Sequence, residues 1–213
     1  MITFATFHMA LPEDLRTTLS RDARSFRVRD DASHWIALLF RSARHFHPDC
    51  RCVCLSDEMT PLDLPAPIEI CRRPARSNDP LWSRLQAERD FLQEAGHHSG
   101  NAAAHILFLD SDVLINGLLE PAFAESFDVA LPNRPHPEMP INAGVPPVKT
   151  DHHDAAIRFF DTVLTVFDER FHQDLWWGDP LALAAILGNV FSRDSPPQQV
   201  AVQLHAGARP KSV

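Results

Sequence analysis

Residues 105–115 read His-Ile-Leu-Phe-Leu-Asp-Ser-Asp-Val-Leu-Ile, so that one apolar run leads into two aspartates and a second apolar run follows. A short segment that is apolar on both faces is typical of a central strand in a parallel sheet, with helices covering both sides. We therefore predict that 105–109 is the central strand of an α/β fold.

Asp110 and Asp112 follow this predicted strand and are the first candidate functional residues. Because successive strand side chains point to opposite faces, we expect the two carboxylates to point the same way and Ser111 the other way. Unpaired charges are costly to bury, so carboxylates at this place need a reason. Open α/β sheets bind ligands at the carboxyl ends of their strands, and carboxylate oxygens suit Mg²⁺ or Mn²⁺. The segment predicts a divalent-cation site, and the cation would hold a diphosphate.

A solvated turn is the alternative explanation of Asp-Ser-Asp, because Asp and Ser are ordinary turn residues and the motif is short. Three features favour the metal site instead. They are the predicted buried strand in front, the apolar residues 113–115 behind, and the motifs that come later in the chain.

The composition is that of a globular protein with one domain. The chain has 213 residues, of which 45% are hydrophobic and 23% charged, and this length is enough for a substantial core. The formal net charge is −8, whereas general nucleic-acid binders normally carry a basic patch. We therefore expect no nucleic-acid partner, while a nucleotide sugar stays possible because one cation can neutralise a diphosphate.

The cysteines and the N-terminus predict the compartment. Cys50, Cys52 and Cys54 alternate along the chain, which differs from the Cys-x-x-Cys spacing of zinc sites and favours free thiols in a reducing environment. The N-terminus has neither the charged region nor the apolar core of a signal peptide. No apolar run reaches the roughly 18 residues of a transmembrane segment. We expect a cytoplasmic protein without a membrane span.

Strand-like and helix-like segments alternate along the chain. The predicted strands are 2–8, 50–55, 68–71, 105–109 and 127–131, and the predicted helices are 31–46, 81–95, 118–123, 151–171 and 181–187. The helix over 81–95 carries Leu81, Leu85, Glu88 and Leu92 at mixed helical spacing. This alternation predicts a mostly parallel, doubly wound sheet flanked by helices. Neither a Gly-x-Gly-x-x-Gly nor a P-loop motif is present.

Four segments in order resemble a known family. Residues 106–115 resemble the D-x-D segment of GT-A-fold glycosyltransferases, and residues 141–145 (Ile-Asn-Ala-Gly-Val) resemble their Asn-Ala-Gly strand. Residues 178–183 (Gly-Asp-Pro-Leu-Ala-Leu) resemble an Asp-Gln segment before a helix, and residues 205–211 resemble a terminal His-x-x-Gly…Lys-Pro-Trp segment. The order is most similar to the glycogenin-like and bacterial lipopolysaccharide galactosyltransferase group.

The resemblance implies a nucleotide-diphosphate-sugar site and roles for its residues. Asp110, Asp112 and His205 would hold Mn²⁺ or Mg²⁺, and Lys211 would contact the phosphates. Asp179 would be the catalytic carboxylate, which orients the reacting sugar or accepts a proton from the acceptor hydroxyl. The other implied donor-binding residues are Thr6, Phe7 and His8 near the base, Arg84 and Ser111 near the donor, and Asn142, Ala143 and Gly144 around the sugar.

The same residues also have structural alternatives. Asp179 fits a helix N-cap, Arg84 a solvated helix charge, and Asn142 a turn residue. His205 also fits a surface histidine. The chain departs from the family pattern at Pro180, where Gln is usual, and in lacking the terminal Trp. The short C-terminus suggests that an acceptor-binding extension is missing, and the acceptor and the stereochemical outcome stay open.

We expect one GT-A-like domain over 1–213, with a nucleotide-binding half at about 1–115 and a sugar and acceptor half at about 116–213. The predicted activity is metal-dependent sugar transfer from a nucleotide-diphosphate sugar, with a UDP-sugar as the expected donor, to a saccharide, glycolipid or protein. The first alternative is a degenerate GT-A domain that binds a nucleotide sugar or a partner without turnover. A haloacid-dehalogenase-type phosphatase also uses Asp-x-Asp, but on its first strand and followed by Gly-Thr. A nucleotidyltransferase would need a Gly-rich basic loop after the first strand, which residues 8–12 do not supply.

Overall fold

The computed structural model describes residues 1–22, 32–97, 105–132, 141–149, 153–173, 178–187 and 201–202. Strands and helices alternate through most of this length, as the sequence predicts. In order they are β1 (Ile2–His8), α1 (Glu13–Asp22), α2 (Ala32–Phe46), β2 (Arg51–Asp57), β3 (Glu69–Arg73), α3 (Pro80–His97), β4 (His105–Leu109), α4 (Glu120–Ala124), β5 (Val129–Ala130), β6 (Pro147–Val148), α5 (His153–Val166), a π-helix (Phe167–Phe171), α6 (Gly178–Ile186) and β7 (Ala201–Val202).

The described strands form one seven-stranded sheet in the order β3-β2-β1-β4-β6-β5-β7. Its first half is parallel, because β1 pairs with β2 and β4, and β2 pairs with β3. The short strands β6, β5 and β7 add an antiparallel half. The predicted α/β sheet is confirmed. Its antiparallel half was not predicted, since strands of two residues carry no detectable periodicity.

Strand β4 separates the two layers of the core. On one face the Phe108 ring meets Phe91 of α3 and Phe160 of α5 edge-on, with ring centroids 6.3 and 5.8 Å apart. On the other face Leu107 belongs to a buried cluster with Phe40 of α2 and neighbouring side chains. Full burial of such a side chain stabilises the fold by about 1.5–3 kcal/mol. Both faces of β4 are therefore covered, as its unbroken apolar run predicts.

The helix predicted over 151–171 is divided into two segments. Helix α5 ends at Val166, and Phe167–Phe171 continue as a π-helix. Phe167 is only 1% exposed, and its Cε2 atom lies 2.4 Å from where a Cβ atom at Gly178 would stand. Helix α6 thus packs directly on the π-helix. Apolar spacing cannot distinguish this wider turn from an α-helical one, because the same residues remain buried.

Two other helices differ from the prediction. Helix α6 begins at Gly178 rather than at 181, so Asp179 and Pro180 lie in its first turn, where proline has no helical hydrogen bond to lose. Helix α1, in which Leu15 is buried, was not predicted, because its sequence is mostly polar. Among the described residues, no helix combines the length and apolar character needed to cross a bilayer.

Candidate functional site at the carboxyl edge of the sheet

Three elements meet at the carboxyl edge of the parallel strands. Asp110 follows β4, Arg84 lies in the first turns of α3, and Asp179 lies in the first turn of α6. The Arg84 Nη1 atom donates to Asp110 Oδ1 at 2.8 Å, and Nη2 donates to Asp179 Oδ2. The Arg84 side chain is 14% exposed, so it is not the solvated helix charge that the structural alternative proposed. One guanidinium bridges two of the predicted site carboxylates.

Glu88 is a site neighbour that the sequence interpretation did not assign. It lies one helical turn after Arg84 and is 5% exposed, and its Oε1 atom is 3.9 Å from Arg84 Nε. A carboxyl group is seldom buried without a partner. The available signal was an acid at an apolar-face position of the predicted helix, four residues after an arginine.

The cluster holds three carboxyl groups around one guanidinium, and burial shifts the pKa of two of them, Glu88 and Asp179. Burial raises the pKa of Glu88 to about 8, which Arg84 opposes only in part. Burial also raises the pKa of Asp179, against the opposing effect of Arg84. Burial disfavours the charged form of Arg84, but the neighbouring carboxylates outweigh it, and the Arg84 pKa is raised. At neutral pH the cluster therefore keeps a charged arginine and a largely protonated Glu88.

The Asn142-Ala143-Gly144 turn packs against Asp110 and is hydrogen-bonded to its backbone. The Asp110 amide donates to the Gly144 carbonyl at 2.8 Å, and the Gly144 amide donates to Asn142 Oδ1 at 3.0 Å. Ala143 is buried in the core. The predicted Asn-Ala-Gly and D-x-D segments are thus brought together. The Asn142 side chain accepts the Gly144 amide hydrogen bond, as expected of the turn residue that was the structural alternative. A role for residues 142–144 in binding a sugar stays a prediction.

The strand alternation on which the prediction for Asp-Ser-Asp relied does not extend beyond Leu109. Strand β4 ends at Leu109, and the Val113 amide closes a turn onto the Asp110 carbonyl at 3.3 Å. Strand alternation therefore does not place the two carboxylates. Asp112 is exposed and Ser111 is half-buried. The motif is therefore a turn, as the solvated-turn explanation proposed. Its first carboxylate, that of Asp110, is nevertheless held by Arg84 instead of being only solvated.

A divalent cation fits the donor chemistry of these residues, because Asp110 and Asp112 supply hard oxygen ligands. The Asp110 side chain keeps 45% of its surface exposed despite its bond to Arg84. Within the described ranges no group of three or more His, Cys, Asp or Glu side chains is arranged to hold a metal ion. His205, the predicted third ligand, and Lys211 lie outside the described residues.

The predicted base-binding segment lies at the end of β1. Thr6 is buried, and its hydroxyl donates to the Leu109 carbonyl at 2.7 Å, so it ties β1 to the strand before Asp110. Phe7 is partly buried against the core. Burial lowers the pKa of His8, and the nearby Asp57 offsets this only in part. A neutral His8 offers both a hydrogen-bond donor and an acceptor.

The loop after β2 borders the same segment. The Ser56 hydroxyl donates to the His8 carbonyl at 2.6 Å, and the Thr60 amide donates to Asp57 Oδ1 at 3.0 Å. Arg72 fixes this loop by donating from Nη1 to the carbonyls of Asp57 and Thr60, at 2.7 and 2.6 Å. The ends of β1 and β2 therefore form a cross-linked edge beside His8, which the sequence interpretation did not identify.

Solved structures identify the fold. They include the glycosyltransferase GlyE of Streptococcus pneumoniae TIGR4, with 14% identity and a TM-score of 0.52 over 90% of this chain. They also include the galactosyltransferase LgtC, solved with donor and acceptor sugar analogues, with 13% identity and a TM-score of 0.51 over 85% of this chain. The chain has a GT-A glycosyltransferase fold. No protein-family model and no curated protein matches the sequence.

The GT-A fold confirms the resemblance drawn from the four motifs. At these identities the likeness establishes the fold, and the chain spans 45% of the length of GlyE and 70% of that of LgtC. In this GT-A fold the Arg84 guanidinium binds the predicted carboxylates of Asp110 and Asp179. The predicted Gly144 lies against the Asp110 carboxylate.

Proposed function

We propose that this chain is a metal-dependent glycosyltransferase that takes its sugar from a nucleotide-diphosphate sugar, with a UDP-sugar as the donor. One observation carries the proposal. In a GT-A fold, Arg84 joins Asp110 and Asp179 at the carboxyl edge of the parallel strands, which is where open α/β sheets bind their ligands.

Asp110 and Asp112 would hold the cation, with His205 as the third ligand, and Lys211 would contact the phosphates. The cation supplies Lewis-acid stabilisation of the departing diphosphate when bound. Arg84 keeps the Asp110 carboxylate in one orientation through its Nη1 bond. A guanidinium that is fixed on two sides loses little freedom when a donor binds, so the site is preorganised.

Asp179 would orient the donor sugar or accept the acceptor hydroxyl proton. It is 3% exposed and bonded to Arg84 through Oδ2, which fixes the direction of its other oxygen. Burial raises its pKa, and a more basic carboxylate is a better proton acceptor near neutral pH. These features support a role beyond the helix cap of the structural alternative.

The remaining assignments complete the proposal. Thr6, Phe7 and His8 would border the base, with Ser111 toward the phosphates and the 142–144 turn around the sugar. The nucleotide-binding half would comprise about 1–115 and the sugar and acceptor half about 116–213. The four cysteines are free thiols, which supports a reducing compartment such as the cytoplasm. The acceptor would be a saccharide, glycolipid or protein, and no nucleic-acid partner is proposed.

Binding without turnover is the second candidate. Arg84 occupies one oxygen of Asp110 and one of Asp179, and Pro180 stands where the resembling family has a glutamine. Both features suit a domain that holds a nucleotide sugar without completing transfer. The phosphatase alternative is weaker, because its Asp-x-Asp follows the first strand, whereas Asp110 follows β4.

Calorimetric titration of UDP with and without Mn²⁺ tests the donor site in the wild type and in Asp112→Ala. We expect metal-dependent binding that Asp112→Ala abolishes. Asp154→Ala is the matched control, because Asp154 is exposed. Its neighbour His153 lies beside Gly96, where a Cβ atom would be 3.5 Å from His153 Nδ1, at the other end of α3 from Arg84. Absence of binding by the folded wild type would refute the UDP-sugar proposal. Turnover of UDP-sugars then separates the enzyme from the binding domain.

A further inference from the structure

The Arg84 guanidinium presents N–H donors along three edges, one at each nitrogen, and two of these edges make a hydrogen bond. Nη1 is bonded to Asp110 and Nη2 to Asp179. The third edge, Nε, is buried and makes no hydrogen bond to a described atom. A buried N–H without an acceptor costs free energy, and the cost is larger for a charged group.

Glu88 faces this third edge. Its Oε1 atom is 3.9 Å from Nε, one turn along the same helix, where residues four apart are neighbours. The separation exceeds a hydrogen bond, and a small rotation of the glutamate side chain would bring the two atoms within bonding distance. The Glu88 side chain is 6% exposed, so it occupies a place where an apolar residue would otherwise pack.

We propose that Glu88 is a positioning residue for Arg84. Its carboxyl oxygen serves as the acceptor for Nε, which leaves Nη1 and Nη2 free to hold Asp110 and Asp179 at the donor site. Without Glu88 the guanidinium can rotate about its Cδ–Nε bond, and the alignment of both carboxylates is loosened. The effect on donor binding rests on the proposed function, whereas the effect on the Arg84 side chain does not.

Two variants of similar size separate the acceptor from bulk. Glu88→Gln keeps an acceptor oxygen, whereas Glu88→Leu fills much of the same space and removes both oxygens. Leucine and glutamine are both good helix formers, so α3 is preserved. Both variants keep Asp110 and Asp179 as partners of Arg84, so the guanidinium is not left without a carboxylate. Thermal unfolding confirms that both variants are folded before they are compared.

The first readout needs no ligand. The Arg84 Nε–Hε resonance is identified by its loss in Arg84→Lys, and its exchange with water is followed by ¹⁵N NMR. We expect slow exchange in the wild type and in Glu88→Gln, and fast exchange in Glu88→Leu. Asp161→Ala is the control, because it removes the partner of Arg89 on the same helix and leaves the Arg84 cluster unchanged.

The second readout is UDP affinity in the presence of Mn²⁺. We expect about a tenfold loss in Glu88→Leu, the size of one hydrogen bond to a charged group, and near wild-type affinity in Glu88→Gln and Asp161→Ala. Slow exchange in Glu88→Leu, or failure of Glu88→Gln to restore it, would overturn the proposal. If the wild type binds no UDP, the donor proposal fails, and the exchange measurement still decides the role of Glu88.

Discussion

Gly144 lies directly against the carboxylate of Asp110. A Cβ atom at position 144 would stand 1.9 Å from Asp110 Oδ2 and 2.5 Å from its Cγ, distances that real atoms do not reach. The carbonyl of the same glycine accepts a hydrogen bond from the Asp110 backbone amide. The Asn-Ala-Gly turn therefore determines where the first carboxylate of the D-x-D motif can be, and any side chain at 144 would displace it.

Gly144→Ala is expected to weaken metal-dependent UDP binding by tenfold or more, because Asp110 must leave its place and its bond to Arg84. We also expect a loss of about 1–3 kcal/mol in the free energy of unfolding, as for an overpacked site. Urea unfolding and calorimetric titration measure the two effects. Gly117→Ala is the control, since a Cβ atom there meets nothing within 4 Å. Equal behaviour of the two variants would contradict this account of Gly144.

Arg84→Met is expected to lower the free energy of unfolding by about 3 kcal/mol, because it leaves the Asp179 carboxylate buried without the positively charged guanidinium. Adding Asp179→Asn should recover part of this loss, since the amide needs no counter-charge. A double-mutant cycle by urea unfolding gives the coupling between the two residues. The Arg51–Glu69 pair has side chains that are 40% and 49% exposed, so Arg51→Met should cost at most about 1 kcal/mol. Full additivity of the Arg84 and Asp179 changes would refute the buried pair.

Glu88 makes the stability depend on pH in a predictable direction. Burial raises its pKa from 4.5 to about 8, so between these values the folded protein holds a proton that the unfolded chain releases. The free energy of unfolding should therefore fall as the pH rises through this window, with at most one proton or about 1.4 kcal/mol per pH unit from Glu88.

Glu88→Gln removes this titration and leaves Asp179 and His8 in place. The variant should gain stability over the wild type progressively as the pH is raised from about 5 to about 8, and the two should converge toward the acid end. Urea unfolding at a series of pH values measures the difference. Parallel curves for the two proteins would show that Glu88 titrates normally and is not buried as described.

The sequence predicted the elements whose signals are local and strong. The apolar run predicted both ends of β4 correctly, at His105 and Leu109. The four ordered motifs indicated the GT-A fold. The partners of the site residues could not be predicted, because they depend on distant contacts. Glu88 and Arg84 are neighbours by helix spacing, but only the packing of α3 against β4 and α6 brings Asp110 and Asp179 to the same guanidinium.

Local geometry was the other limit of the sequence prediction. The apolar run predicts the end of β4 at Leu109, but the Asp-Ser-Asp pattern does not show that the backbone forms a turn there instead of staying extended. In the π-helix at Phe167–Phe171, Phe167 is buried as it would be in an α-helix, so the apolar spacing does not reveal the wider turn. In both places the backbone changes its course while the pattern of buried residues is preserved.

The π-helix and Gly178 lead to the last prediction. A Cβ atom at 178 would stand 2.4 Å from Phe167 Cε2 and 2.9 Å from the Phe171 carbonyl oxygen. The ring is buried and the carbonyl belongs to the backbone, so neither can move aside easily. Gly178→Ala should therefore shift the start of α6, and with it Asp179, away from Arg84. We expect a loss of about 1–3 kcal/mol in unfolding free energy and weaker donor binding.

Gly96→Ala is the matched control, because it is also a helical glycine but its Cβ would lie at an ordinary contact distance of 3.5 Å from His153. Alanine in a helix is favoured over glycine by roughly 0.5–1 kcal/mol, so this variant should be stabilised rather than destabilised. Urea unfolding of the two variants then gives changes of opposite sign. If Gly178→Ala is also stabilising, α6 does not pack on the π-helix as closely as the structure shows, and the position of Asp179 is not fixed by that contact.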